Sequence, residues 1–92
     1  MIKIIDCYTP WCVACKNTDV IMESIKDIYE KKVEIQKIDM DKHPEIAEKL
    51  GVRSVPAVFF IKNGEVQEAV YGVKLLEQYY EILEKLLVEE NV

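Results

Sequence analysis

Two short apolar runs with one helical stretch between them constrain this chain more than any single motif does. The first run, IKIIDCY, is β-branched and apolar and reads as a buried strand. From about Cys12 to Tyr29 the pattern turns helical, with Ile21, Ile25 and Ile28 at i, i+4 and i+7 and Val20 beside them. VEIQKIDM then alternates through Val33, Ile35 and Lys37 to Ile38, a second strand. A strand–helix–strand unit of this length demands a parallel pair joined by a right-handed crossover.

The remainder of the chain adds to that unit without a linker, a repeat or a low-complexity segment. Pro44 suits the first turn of a short helix, Ile46, Ala47 and Leu50 share a face, and Gly51 suits the position past its end. PAVFFIKNGEVQEAVYG is a hairpin, because Asn63 and Gly64 can both take the positive φ of a two-residue type I′ turn. Strands joined so tightly run antiparallel. Leu75/Leu76, Tyr79/Tyr80, Ile82/Leu83 and Leu86/Leu87 recur at helical spacing and give a terminal helix with one broad apolar face. The expected order is β-α-β-α-β-β-α: an α/β fold with a four-stranded mixed sheet and helices on both faces, one domain over residues 1–92.

Composition narrows the function classes. A net charge of −5 with no basic patch argues against a nucleic-acid partner. The longest apolar runs, such as VPAVFFI, are too short to span a bilayer, so no membrane partner is expected. MIKIIDCY enters a strand pattern at once and does not resemble a targeting segment, which makes the cytoplasm the expected location; a monomer is the expected state. Three cysteines is an odd number and excludes a full disulfide framework. In a reducing compartment a close thiol pair points to catalysis or metal binding rather than to a permanent staple.

Such a pair stands in PWCVACK, where Cys12 and Cys15 flank Val13-Ala14 at a strand-to-helix junction. Unpaired backbone N–H groups and the positive end of the helix dipole favour a thiolate at the first cysteine. A lowered thiol pKa makes Cys12 a nucleophile at neutral pH. Cys15, one turn later, is near enough to resolve the mixed disulfide that results. Cys12 is therefore expected to be the exposed sulfur and Cys15 the shielded one. Pro10 and Trp11, just ahead, form an apolar rim suited to docking a protein chain.

On these residues the chain resembles the thioredoxin family over nearly its whole length, and a thioredoxin-like fold is what the resemblance implies. DCYTPWCVACK is similar to the family's active-site segment, and Asp6 fills the place of the buried acid that accepts a proton beneath the resolving cysteine. Lys37 in IQKIDMD matches the lysine that interacts with that acid. GVRSVPAVFFIKNGE resembles the cis-proline segment, which makes Pro56 that proline and Val55 the residue before it. Gly72 matches the glycine that leaves room for the substrate backbone. The resemblance implies a thiol–disulfide oxidoreductase that reduces protein disulfides with no bound cofactor, the redox-active Cys12–Cys15 pair itself carrying the electrons. Its partners would be disulfide-containing proteins and a flavoprotein reductase of the thioredoxin reductase type.

Two departures from the family pattern matter. The dipeptide is Val13-Ala14 where thioredoxins usually have Gly-Pro, and the extra N-terminal strand and helix of full-length thioredoxins are not expected here, the 92 residues being nearer a glutaredoxin in size. A glutathione-linked reductase is accordingly the alternative, although VYGVKLLE has one glycine where glutaredoxins hold glutathione with a pair and an acid. A third reading is a metal-binding or adaptor module without turnover. Cys7, Cys12, Cys15 and His43 make four potential zinc ligands, but no second close pair accompanies them, and His43-Pro44 more simply starts a helix. Cys7 otherwise reads as a small buried hydrophobe.

Overall fold

The structure, a computed structural model, describes residues 1–90, so the last two residues of the expected unit lie outside the described residues. Seven elements follow in the expected order: β1 (Ile2–Tyr8), α1 (Cys15–Ile28), β2 (Val33–Asp39), α2 (Pro44–Leu50), β3 (Ala57–Lys62), β4 (Glu65–Tyr71) and α3 (Leu76–Glu90). The sheet order is β2-β1-β3-β4. β1 and β2 are parallel, with Asp6 opposite Lys37, while β3 pairs antiparallel with both β1 and β4. The hairpin turns through Asn63 at φ 55° and Gly64 at φ 78°, the positive pair its sequence requires.

Alternation along β1 divides the core in two. Ile2 and Ile4, with Val58 and Phe60 of β3, face α1 and α3 and pack against Met22, Ile25, Tyr79, Leu83 and Leu86. Ile5, Cys7 and Phe59 face the opposite way and meet Ile46, Ala47 and Leu50 of α2. Helices therefore cover both faces. By the same alternation, Asp6 lies on the α1/α3 face and Cys7 on the α2 face.

Three helical details differ from the sequence reading. α1 begins at Cys15 rather than near Cys12, because the chain first turns tightly, Cys12 N–H donating to Thr9 O and Lys16 N–H to Val13 O. Its buried stripe is Cys15, Thr18, Met22 and Ile25, whereas Val20 and Ile28 face outward. The helix packs on the sheet through the stripe that Cys15 begins, about one position round from the Ile21/Ile25/Ile28 stripe, and two β-branched residues end on the solvent side. Leu75 precedes α3 and is exposed, its N–H bonded to Gln78 Oε1 across the first turn. α2 has the anticipated ends, with Pro44 in its first turn and Gly51 in the left-handed conformation at φ 73°. Among the described residues no helix is long and apolar enough to cross a membrane.

Candidate active site

Sheet topology brings the sequence-predicted residues to one end of the molecule. Because β1, β2 and β4 finish where β3 starts, the loops after Tyr8, Asp39 and Tyr71 and the loop before Ala57 gather together. Those loops carry Trp11 and Cys12, Asp41, Gly72, and Val55-Pro56 respectively.

Cys12 and Cys15 form a disulfide, with their Cα atoms 5.3 Å apart. Cys15 is the first residue of α1. Its N–H donates to Cys12 Sγ at 3.1 Å, so the helix start aims a backbone donor at the first sulfur. No side chain caps this end of α1, since the cap position is Ala14. The sulfur instead accepts the first of the helix's otherwise unpartnered N–H groups. With Cys12 only 8% exposed and Cys15 4%, the expected contrast between an open and a shielded sulfur is not present in the disulfide form. The bridge holds both sulfurs against the first turn of the helix.

Exposed apolar side chains stand around this pair, with Lys16 and Asn17 exposed directly after it. Trp11 is 70% exposed and its Nε1 donates to Asp41 Oδ2 at 3.0 Å. Asp41 is itself held by a turn at the end of β2, where buried Asp39 accepts the N–H groups of Asp41 and Lys42. Val13, Val73 and Leu75 are also exposed at this end. Asp41 and Val73 escaped the sequence reading, which had Leu75 on the apolar face of the terminal helix. The one available signal was the placement of apolar residues directly after Gly72, where a turn would ordinarily be polar.

The proline loop closes the site. The Val55–Pro56 peptide bond is cis, Pro56 is buried and Val55 is partly so. Gly72 N–H donates to Pro56 O at 3.0 Å, tying the end of β4 to this loop. Gly72 sits at φ 77°, and no neighbouring atom lies within 4 Å of where a Cβ would project. The space beside it is open.

Asp6 is 1% exposed, and neither carboxylate oxygen has a hydrogen-bond partner among the described residues. Burial pushes its carboxyl from 3.8 up to about 6, with the negative charge of Asp19 adding to the rise and Lys37 opposing it. The expected Asp6–Lys37 pair does not form. Lys37 lies opposite Asp6 in the strand register, but its Nζ is 2.9 Å from Asp19 Oδ1 on α1 and 4.5 Å from the Tyr8 ring centroid. A lysine stem on an exposed edge strand carries its ammonium outward, where a carboxylate on the neighbouring helix receives it.

Cys7 is fully buried beneath α2, and burial, followed by the charge of Asp6, pushes its thiol up to about 12. His43 is exposed, precedes α2 and pairs with Glu45 at 3.2 Å. Among the described residues no three His, Cys, Asp or Glu side chains converge as metal ligands would.

Comparison with known proteins places this geometry. The family model "Thioredoxin" matches residues 1–85. The chain is 34% identical to a thioredoxin of Staphylococcus haemolyticus and 36% identical to a thioredoxin of Bacillus subtilis, each over 86 residues covering 94% of this chain and 83% of the relative. Among solved structures, thioredoxin-2 of the malaria parasite, described as a component of its protein secretion machinery, superposes with a TM-score of 0.88. That match has 22% identity and covers 92% of this chain and 82% of the other, a likeness of fold. A cysteine pair bridged at the start of α1, in a chain that matches this family along nearly its whole length, has one reading: the protein belongs to the thioredoxin family and is a disulfide oxidoreductase.

Proposed function

We propose that the protein reduces disulfides in other proteins through its Cys-Val-Ala-Cys pair and is itself recharged by a flavoprotein of the thioredoxin reductase type. The observation that carries this reading is the Cys15 N–H directed at Cys12 Sγ from 3.1 Å. In the reduced protein that donor stabilises a Cys12 thiolate. The thiolate attacks one sulfur of a substrate disulfide, forms a mixed disulfide and expels the substrate's other sulfur as a thiolate, which takes a proton from water. Cys15 then gives its proton to the Asp6 carboxylate and attacks Cys12 Sγ. The Cys12–Cys15 bond forms, the mixed disulfide breaks, and the second substrate sulfur leaves as a thiolate, which takes up the proton that Asp6 received or one from water. Two electrons have moved from the dithiol to the substrate, and no bound cofactor takes part in the exchange.

The exposed Trp11 and the loop around Val55, Pro56 and Gly72 receive the substrate chain. An apolar rim beside an open backbone groove suits an extended polypeptide better than a small charged thiol, which favours a thioredoxin system over glutathione. Lys37 acts on the proton step through its charge rather than by direct contact with Asp6. We place the protein in the cytoplasm as a monomer, with residues 1–92 working as one domain.

Insulin reduction tests the proposal with three electron sources: dithiothreitol, a thioredoxin reductase, and glutathione with its own reductase. Turnover is expected with the first two and little with the third. Faster turnover with glutathione would assign the chain to a glutaredoxin-like role, and no turnover with any source would remove the enzymatic reading.

A further inference from the structure

The cleft between α1 and the outer edge of β2 has a volume of about 470 Å³. Asp19, Met22 and Glu23 of α1 and Val33, Ile35 and Lys37 of β2 contribute to its walls. Asp6 is not part of its lining, although Lys37 stands opposite Asp6 in the sheet. The Lys37–Asp19 pair, with side chains 45% and 42% exposed, thus stands between a solvated cleft and a buried carboxylate that has no hydrogen-bond partner among the described residues.

We propose that Asp19 is a positioning residue that holds the Lys37 ammonium on the cleft side and so deprives Asp6 of its counter-ion. The geometry supplies both halves of this. An ion pair at 2.9 Å fixes the ammonium on α1, and the Tyr8 ring under it, 4.5 Å from Nζ to centroid, favours the same position. With the lysine engaged there, both Asp6 oxygens remain unmatched.

The other ionisable groups near Asp6 do not supply a charge. Tyr79 on α3 is pushed up to about 12 by burial and then by Asp6, so it stays neutral. Cys7 on the same strand is held neutral in the same way. Cys15 on α1 is bridged. Val58, the β3 residue opposite Asp6, is apolar. Asp19 and Lys37 are the two charged side chains among the described residues that act on Asp6, in opposite directions. Asp19 therefore works twice: by its own negative charge and by detaining the positive one.

This inference rests on the proposed role of Asp6 for its meaning in catalysis but not for its test. The carboxyl carbon of Asp6 in the oxidised, isotopically labelled full chain is followed by NMR across pH 4–9 in the parent, Asp19→Asn, Asp19→Glu, Lys37→Met and the Asp19→Asn/Lys37→Met double variant. Asp19→Asn should lower the Asp6 midpoint by roughly one pH unit, the low end for a nearby charge change, and Asp19→Glu should restore most of it. With Lys37→Met already present, Asp19→Asn should move the midpoint by clearly less, since no ammonium remains to be released. An unmoved midpoint in Asp19→Asn overturns the proposal. An equal shift in both backgrounds also overturns it, because Asp19 would then act by its own charge alone. A midpoint that moves as expected while the pH profile of mixed-disulfide resolution does not follow supports the placement of Lys37 and instead refutes the role given to Asp6.

Discussion

The backbone N–H of Cys15 lies 3.1 Å from Cys12 Sγ, so the helix that carries the second cysteine presents a donor to the first. The relation is not reciprocal. Among the described residues no backbone donor is directed at Cys15 Sγ in return, and the proposed division of roles between two sulfurs that are nearly equally buried while bridged rests on this asymmetry.

Cys12→Ser is expected to abolish reaction with protein disulfides. Cys15→Ser should leave the attack intact and strand the substrate on Cys12, because no neighbouring thiol remains to displace it. Cys7, fully buried under α2, should be dispensable in both backgrounds. Non-reducing gels read the outcome, and adducts accumulating on Cys12→Ser instead would reverse the assignment.

The Cys12–Cys15 pair is expected to be reducing, nearer thioredoxin's roughly −270 mV than the roughly −120 mV of a strong oxidant. Val13-Ala14 contains no histidine and adds no thiolate-stabilising group to what the helix terminus provides. Equilibration against glutathione buffers measures the potential, and a value above about −180 mV, the isomerase range, would contradict this expectation.

Asp6 should make stability depend on pH in a direction opposite to that of an ordinary ion-paired carboxylate. Its folded pKa, about 6, lies above the ordinary 3.8, so the native state binds the proton more tightly than the unfolded chain. The favourable contribution is complete below about pH 4 and is lost as pH rises through 6. At neutral pH the buried charge costs about 3 kcal/mol, from roughly two pKa units at 1.36 kcal/mol each. Asp6→Asn should therefore stabilise the protein at pH 7 by up to that amount and change little at pH 4, as urea unfolding at the two pH values will show. The same substitution should slow resolution of the mixed disulfide more than the initial attack.

Gly72→Ala tests the open groove. A side chain at φ 77° carries a left-handed penalty of about 1–2 kcal/mol, although it would meet no atom of the protein itself. Its Cβ would project where a substrate backbone is proposed to lie. We expect a modest loss of stability and a several-fold higher KM for insulin, with unchanged alkylation of Cys12 by a small reagent. Equal effects on both reactions would place Gly72 outside the docking surface.

Much of this arrangement was legible in the sequence because it depends on local rules. The hairpin follows from Asn63-Gly64, the ends of α2 from Pro44 and Gly51, and the two core faces from alternation along β1. What escaped depends on where long side chains come to rest. Register sets Lys37 opposite Asp6, but only the three-dimensional position of α1 reveals Asp19 as the better partner. The hold of Asp41 on Trp11 joins residues thirty positions apart and has no periodic signature. The start of α1 was misplaced because a tight turn from Thr9 to Cys12 precedes the helix, and its sequence resembles a helical first turn.

The gathering of the four site loops at one end of the sheet leaves the other end outside the proposed chemistry. That end holds the start of β1, the Tyr29–Lys32 connection into β2 and the Asn63–Gly64 turn, a strand's length from the cysteines. It is the natural point of attachment. An affinity handle, a fluorophore or a second protein joined there would leave the redox face free, and the chain could be tethered to a surface with its cysteines still presented to passing substrates.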